Sequence, residues 1–181
     1  MSNKLKEVSL LRSELQLQGV LRMFKRHSDN DPFIYTAQFH NIITRNAKDQ
    51  ILNSLAQAVG TKLSATMYMR KMGFFSGTAP DDPVIDAMDD NGASALEWLT
   101  LTVAPPALST TSSMAEIEFE ATHTATGAET INFIVLGYDA SVAASNAFAV
   151  IEVAPCVLAA GEMIKCCYTL TYNYYTGYSE V

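Results

Sequence analysis

The stretch IKCCYTLTYNY, residues 164–174, decides the fold, because apolar and polar side chains alternate along most of it. Successive side chains of a β-strand point to opposite faces of a sheet, so this period of two predicts a strand with one buried face. The apolar set is Ile164, Cys166, Tyr168, Leu170, Tyr172 and Tyr174. We therefore expect one long strand over these residues, and we look for strands that could pair with it.

The same period recurs along most of the chain. Gly, Pro, Asp and Asn lie between the alternating segments and supply turn residues, as in RHSDNDP at 26–32. About eight short strands with turn-rich connections are typical of two packed antiparallel sheets. The predicted fold class is therefore mainly β, an antiparallel β-sandwich of jelly-roll-like type. The further segments with strand patterns are 15–23, 33–39, 67–75, 99–103, 117–121, 131–135 and 148–153.

One segment has a helical period instead. In TRNAKDQILNSLAQAVG, residues 44–60, Ala47, Ile51, Leu55 and Val59 form an apolar stripe along one side of a helix. The segment begins with Thr, a suitable N-cap, and ends with Gly, a suitable stop. The sequence therefore predicts one amphipathic helix, inserted after the second strand.

The chain shows neither an internal repeat nor an interdomain linker. We predict that residues 15–181 form a single β-sandwich domain. Residues 1–14 lack a core pattern and are predicted to form an N-terminal arm or a short helix. The segment 76–94 is rich in Gly, Pro and Asp and predicts an exposed loop.

Composition limits the function. The chain has 181 residues, 12 Lys and Arg against 19 Asp and Glu, and a net charge of -7, which disfavours binding to nucleic acid or to an anionic membrane. Only 17% of the residues are charged and 49% are hydrophobic, as in a packed domain with assembly partners. Because no apolar run has the length of a signal peptide or a membrane span, we predict a protein made in the cytoplasm.

The catalytic patterns GxSxG, GxxxxGK[ST] and GxGxxG do not occur in the sequence. The three histidines, His27, His40 and His123, lack metal-site spacing and are predicted to be exposed or locally hydrogen-bonded. The three cysteines lack CxxC spacing and are predicted to be reduced thiols, with Cys166 buried. Pairing of Cys156 with His40 or His123 is the remaining route to nucleophilic catalysis. We predict no enzymatic activity, no cofactor and no metal site.

Two groups of side chains suggest contacts with other molecules. Glu116, Glu118 and Glu120 share one face of a strand, where they either protect a solvent face or meet a basic partner. Tyr175 and Tyr178 follow the last strand without an evident core, and tyrosine is enriched at protein interfaces. The predicted interface residues are Leu10, Leu11, Leu15, Tyr175 and Tyr178.

Three segments together resemble small β-rich virion structural proteins of tailed bacteriophages. FHNIITRNAKDQILNSLA, residues 39–56, is similar to their strand-to-helix segment. MGFFSGTAPDDP, residues 72–83, is similar to the strand and loop that follow. IEVAPCVLAAGEMIKCCYTLTYN, residues 151–173, is similar to their closing pair of strands. This resemblance implies a non-enzymatic, oligomeric part of a phage particle, and it transfers no functional residues.

The leading hypothesis is therefore a structural component of a tailed-phage virion, namely an oligomeric tail, collar or adaptor protein. Its expected partners are other virion proteins and further copies of itself. A head decoration protein is the alternative placement in the particle. A carbohydrate-binding β-sandwich module is the alternative from another class, because exposed tyrosines such as Tyr175 and Tyr178 can stack on sugars.

Overall fold

A computed structural model of the protein describes residues 16–40, 42–43, 69–81, 87–103, 107–108, 114–143 and 147–173. All strand pairs within these residues are antiparallel. The predicted arm at 1–14, Leu15, the predicted helix at 44–60 and the C-terminal residues 174–181 lie outside the described residues. The strands are β1 (Gln16–Arg26), β2 (Ile34–His40), β3 (Ile42–Ile43), β4 (Lys71–Ser76), β5 (Ser94–Thr100), β6 (Thr102–Val103), β7 (Ala107–Leu108), β8 (Met114–Thr124), β9 (Glu129–Gly137), β10 (Ala147–Leu158) and β11 (Met163–Asn173).

The first sheet is built around the stretch that carries the clearest alternation. Its four long strands have the order β2-β1-β11-β8, and the short strands β6 and β7 pair with the far side of β8. Strand β11 pairs along its full length with β1 on one side and β8 on the other. Ile164, Cys166 and Tyr168 have no exposed surface, so the predicted buried face of this strand is confirmed over these residues.

The second sheet has four long strands in the order β10-β9-β4-β5, with β3 paired to the outer side of β10. Residues 133–137 of β9 are all buried, because the strand lies in the middle of the sheet with protein on both faces. The central strand predicted from the apolar run at 131–135 is therefore confirmed. The two sheets pack face to face as a β-sandwich, which confirms the predicted fold class at this level.

Connections between the strands differ from those of a jelly roll. Consecutive strands β1 and β2, β4 and β5, and β9 and β10 pair directly within one sheet. Most consecutive strands of a jelly roll instead lie in opposite sheets. The strand predicted at 99–103 is also divided, because β5 ends at Thr100 in the second sheet and β6 begins at Thr102 in the first.

The core lies between the sheets, and Leu21, Phe74, Ile134 and Tyr168 are among its fully buried side chains. A second apolar cluster lies on the opposite face of the second sheet, around Phe133.

The loop after β4 covers this second cluster. The backbone N–H of Met88 donates a hydrogen bond to the carbonyl of Val142 at 2.6 Å, and the side chain of Met88 is fully buried. Ala79 and Ala93 are buried beside it. The prediction that the whole loop is exposed was therefore wrong, although its Asp81, Asp89 and Asp90 are exposed. The physical reason is that the outer face of β9 is apolar and needs a cover.

Candidate functional site

A shallow depression of about 430 Å³ lies on the outer face of the first sheet. Antiparallel register places Arg22 of β1 beside Cys167 of β11, and Cys167 beside Glu120 of β8. These three side chains come from strands far apart in sequence and share one row across the sheet. The full lining is Arg22, Phe24, Phe33, Glu118, Glu120, Lys165 and Cys167.

Opposite charges meet in this depression. Arg22 Nη2 donates to Glu118 Oε2 at 3.2 Å and to Thr169 Oγ1 at 2.9 Å. Lys165 Nζ lies 2.5 Å from Glu120 Oε2, and this hydrogen bond raises the pKa of the Lys165 ammonium. The predicted row of glutamates therefore does meet basic groups, and in this case they belong to the same sheet.

One polar atom in the depression has no partner. Arg22 Nε is buried and makes no hydrogen bond within the described part of the chain. A guanidinium Nε–H is a strong donor, and a buried donor without an acceptor is unfavourable. This donor is consequently available to any acceptor that enters the depression.

The thiol of Cys167 is a poor nucleophile and a poor metal ligand. Burial raises its pKa to about 11, and the nearby Lys165 ammonium only partly opposes this effect. Sγ of Cys167 and the carboxylates of Glu118 and Glu120 lie within 4.8 Å of one another, as a metal site would require. Lys165 and Arg22 already neutralise these carboxylates, so the set does not favour a metal ion.

Aromatic side chains border one end of the depression. The rings of Phe24 and Tyr35 meet edge to face with centroids 5.7 Å apart. Tyr35 is 54% exposed, so its ring can contact a neighbouring molecule. The guanidinium of Arg26 lies 4.6 Å from the centroid of the Phe33 ring and covers one of its faces.

No family model matches this chain, and no curated protein or solved structure matches it. Among the described residues, no helix is long and apolar enough to cross a membrane. The candidate site is therefore identified from its geometry alone, without a related protein as a guide.

The histidines differ from one another in their surroundings. His123 is buried and both of its nitrogens have carboxylate partners, so of the two predicted surroundings, exposed or hydrogen-bonded, it has the second. Nδ1 lies 2.6 Å from Glu97 Oε2 and Nε2 lies 2.7 Å from Glu129 Oε1. The imidazole of this first-sheet residue also stacks on Phe74 of the second sheet, with centroids 5.0 Å apart. His40, on the edge strand β2, is exposed as predicted.

A second charged group lies in the turn between β10 and β11. Glu162 accepts hydrogen bonds from Lys25 Nζ at 2.7 Å and from the backbone N–H of Ala159 at 2.7 Å, and it also contacts His27 Nδ1. The Lys25 contact has the largest effect, and together these bonds lower the pKa of Glu162 to about 2. The Glu162 carboxylate therefore connects the end of β1 to the turn between β10 and β11.

None of the predicted interface residues can be placed in the fold. Leu10, Leu11, Leu15, Tyr175 and Tyr178 all lie outside the residues that the structure describes. The three cysteines are free thiols, as predicted, and Cys166 is buried.

Sequence reasoning missed the depression because its residues are far apart in the chain. Alternation placed Arg22 and Lys165 on the polar faces of their strands, opposite the buried face. Pairing between these strands, which a single pattern does not reveal, brings them beside Glu118 and Glu120. The sign in the sequence that could have pointed to these residues was therefore their position on the polar faces of their strands.

Proposed function

We propose that this protein is a structural component of a tailed-phage virion, an oligomeric tail, collar or adaptor protein. The observation that supports this most is a set of three exposed large apolar side chains, which we call the apolar corner. Ile34 is 61% exposed, Tyr35 54% and Val157 64%. Exposed apolar side chains that cluster on a surface commonly mark contacts between proteins, whereas isolated ones do not.

The three residues of the apolar corner lie at one end of the sandwich. Ile34 is paired with Lys25, whose Nζ donates to the carbonyl oxygen of Val157 at 2.9 Å. This side chain of β1 therefore connects the end of the first sheet beside Ile34 to β10 of the second sheet. Tyr35 follows Ile34 and points to the other side of β2, against Phe24.

A second copy of the chain is the partner that we propose for the apolar corner. Strand β2, IYTAQFH, contains no Asp, Glu, Lys or Arg, although the whole chain carries a net charge of -7. Two copies can therefore approach along this edge with little local charge repulsion. A two-fold contact of this kind would bury the same apolar side chains on both copies.

Quantitative mass spectrometry of density-purified phage particles, taken from the system that expresses the protein, tests where in the particle the protein lies. A copy number far below that of the major capsid protein supports a tail, collar or adaptor protein. A ratio near one identifies the alternative, a head decoration protein. Absence of the chain from the particles contradicts the proposal.

The self-contact has its own test. We expect Val157→Glu to shift the purified protein toward monomer in analytical ultracentrifugation, because it places a charge in the apolar corner. Thr122→Glu, at an exposed position on β8, adds the same charge elsewhere and should leave the distribution unchanged. A wild-type protein that is monomeric at all concentrations, or equal behaviour of both variants, would contradict the self-contact.

A further inference from the structure

The depression on the first sheet, lined by Arg22, Phe24, Phe33, Glu118, Glu120, Lys165 and Cys167, adjoins Tyr35 of the apolar corner but shares no lining residue with that corner. Its charges cancel, because two cationic and two carboxylate side chains are present. A neutral ligand is therefore favoured over an anion, which the carboxylates would repel, and over a cation, which Arg22 and Lys165 would repel.

The polar atoms of the depression favour a ligand with several hydroxyl groups. Arg22 Nε is a buried donor without an acceptor among the described residues, whereas Glu118, which Arg22 Nη2 contacts, and the neighbouring Glu120 offer acceptor oxygens. A hydroxyl group both donates and accepts a hydrogen bond. Neighbouring hydroxyls on one small molecule can therefore accept from Arg22 and donate to a carboxylate at the same time.

The border of the depression favours a ligand that also has an apolar face. Phe24 lies in the lining and is partly exposed, and the ring of Tyr35 stands edge to face against it. Aromatic faces carry a partial negative charge and pack well against polarised C–H groups. Few neutral molecules combine neighbouring hydroxyls with such a C–H face, and pyranose sugars are the most common of them.

We propose that this depression binds a neutral pyranose unit of an oligosaccharide. The guanidinium of Arg22 and the carboxylates of Glu118 and Glu120 hold the hydroxyl groups, and Phe24 packs against the sugar ring. This site differs from the C-terminal tyrosines that the sequence suggested for sugar binding. The activity goes beyond a structural role in the particle and does not depend on it.

The full chain is first tested on a glycan array that carries neutral oligosaccharides ending in hexose or N-acetylhexosamine, together with sialylated and sulfated ones. Neutral glycans that bind are then titrated by calorimetry and by NMR of the arginine Nε–H signals. We expect at least one neutral glycan to bind and to shift the signal of Arg22.

Matched variants locate the binding. Arg22→Lys keeps the charge beside Glu118 but removes Nε–H, and we expect affinity to fall about tenfold or more. Glu116→Gln is the control, because Glu116 lies on the same face of β8 but does not line the depression. The affinity of Glu116→Gln should stay within about twofold of that of the wild type, because a few contacting residues supply most of the binding energy and Glu116 does not line the depression.

Three results would overturn the proposal: no neutral glycan binds, only anionic glycans bind, or Arg22→Lys binds as tightly as the wild type. If Arg22→Lys does not fold, Phe24→Leu takes its place with the same expectation. Absence of the chain from phage particles would refute the proposed virion role without affecting this result.

Discussion

His123 is the residue whose surroundings are most unusual for a sandwich core. Its two nitrogens lie 2.6 Å and 2.7 Å from carboxylates of the second sheet, although it belongs to the first. Each ring nitrogen has one carboxylate within hydrogen-bond distance, so the imidazole bridges Glu97 and Glu129. The three side chains thereby connect β8 to β5 and β9 by charge-assisted hydrogen bonds.

Replacing His123 with Ala should destabilise the protein by about 3 kcal/mol, because it leaves the carboxylate of Glu129 buried without its partner. The Glu129 side chain is only 13% exposed and cannot recover full hydration. Urea unfolding measures the change, and His40→Ala, at an exposed position, is the control. A loss below about 1 kcal/mol would show that the two hydrogen bonds contribute little net stability.

The hydrogen bonds of Glu162 predict how the stability of the folded protein depends on pH. Hydrogen bonds from Lys25, Ala159 and His27 lower its pKa from 4.5 to about 2 in the folded protein. A lowered carboxyl pKa stabilises the folded state above about pH 4.5, and this contribution disappears as the pH falls through 2. We therefore expect Glu162→Gln to lower Tm at neutral pH and to have little effect near pH 2.

Thermal unfolding between pH 2 and pH 7 measures this difference. The exposed Glu152 on β10 provides the control, because Glu152→Gln removes a carboxylate with no such hydrogen bonds among the described residues. A constant gap in Tm between Glu162→Gln and the wild type across this range would contradict the assignment.

At the scale of elements, strand β4 depends on close contact between its glycine and its neighbours. A Cβ at Gly73 would lie 2.8 Å from the rings of Phe75 and Trp98, which meet edge to face 5.5 Å apart. Phe75 also stacks on Phe133, with centroids 4.8 Å apart, so it has little room to move. The backbone of β4 therefore serves as a surface against which these rings pack.

Gly73→Ala should destabilise the protein by about 1–3 kcal/mol, because an overpacked core forces side chains from their preferred rotamers. Gly127→Ala is the matched control, since a Cβ there would meet no atom within 4 Å. Trp98 is the only tryptophan in the sequence, and its fluorescence follows the unfolding of both variants. Equal stability of the two variants would contradict the packing argument.

Local patterns predicted most strands well, because most strands have one buried face and burial on one face gives the sequence a period of two. Strand β9 is buried on both faces and was predicted from its continuous apolar run instead. The division at Leu101 was not predictable, since alternation continues through it while the chain passes from one sheet to the other. Burial of Met88 was also missed, because turn residues surround it and only the apolar outer face of β9 explains its position.

The candidate site was predicted less well than the fold. The row of glutamates on β8 was visible in the sequence, and so was its need for a solvent face or a basic partner. Its partners Arg22 and Lys165 depend on which strands are neighbours in the first sheet. Strand order is determined by the packing of the whole chain, so a local pattern contains little information about it.

At the scale of the whole molecule, the first sheet depends on β11. This strand lies between β1 and β8 and pairs with both of them over its full length. Without it, β1 and β8 would have no hydrogen-bonded connection within the described sheet. We therefore predict that a chain of residues 1–162 does not fold.

Amide NMR spectra measure this outcome. The truncated chain should give poorly dispersed signals, and addition of a synthetic peptide of residues 163–173 should restore dispersion by supplying the missing strand. The control is the full chain with the same peptide, whose spectrum should not change. A well-dispersed spectrum of residues 1–162 alone would contradict the central role of β11.

The pairing of β1 with β11 also affects how the protein is made on the ribosome. Arg22 and Thr169, which are hydrogen-bonded across these strands, are 147 residues apart. At translation rates of about 5–20 residues per second, β1 is synthesised roughly 7–30 s before its partner. During this interval β1 pairs only with β2 within the first sheet, and a two-stranded hairpin by itself is marginally stable in water. The first sheet of each nascent chain therefore completes its folding late, after nearly all of the strands have left the ribosome.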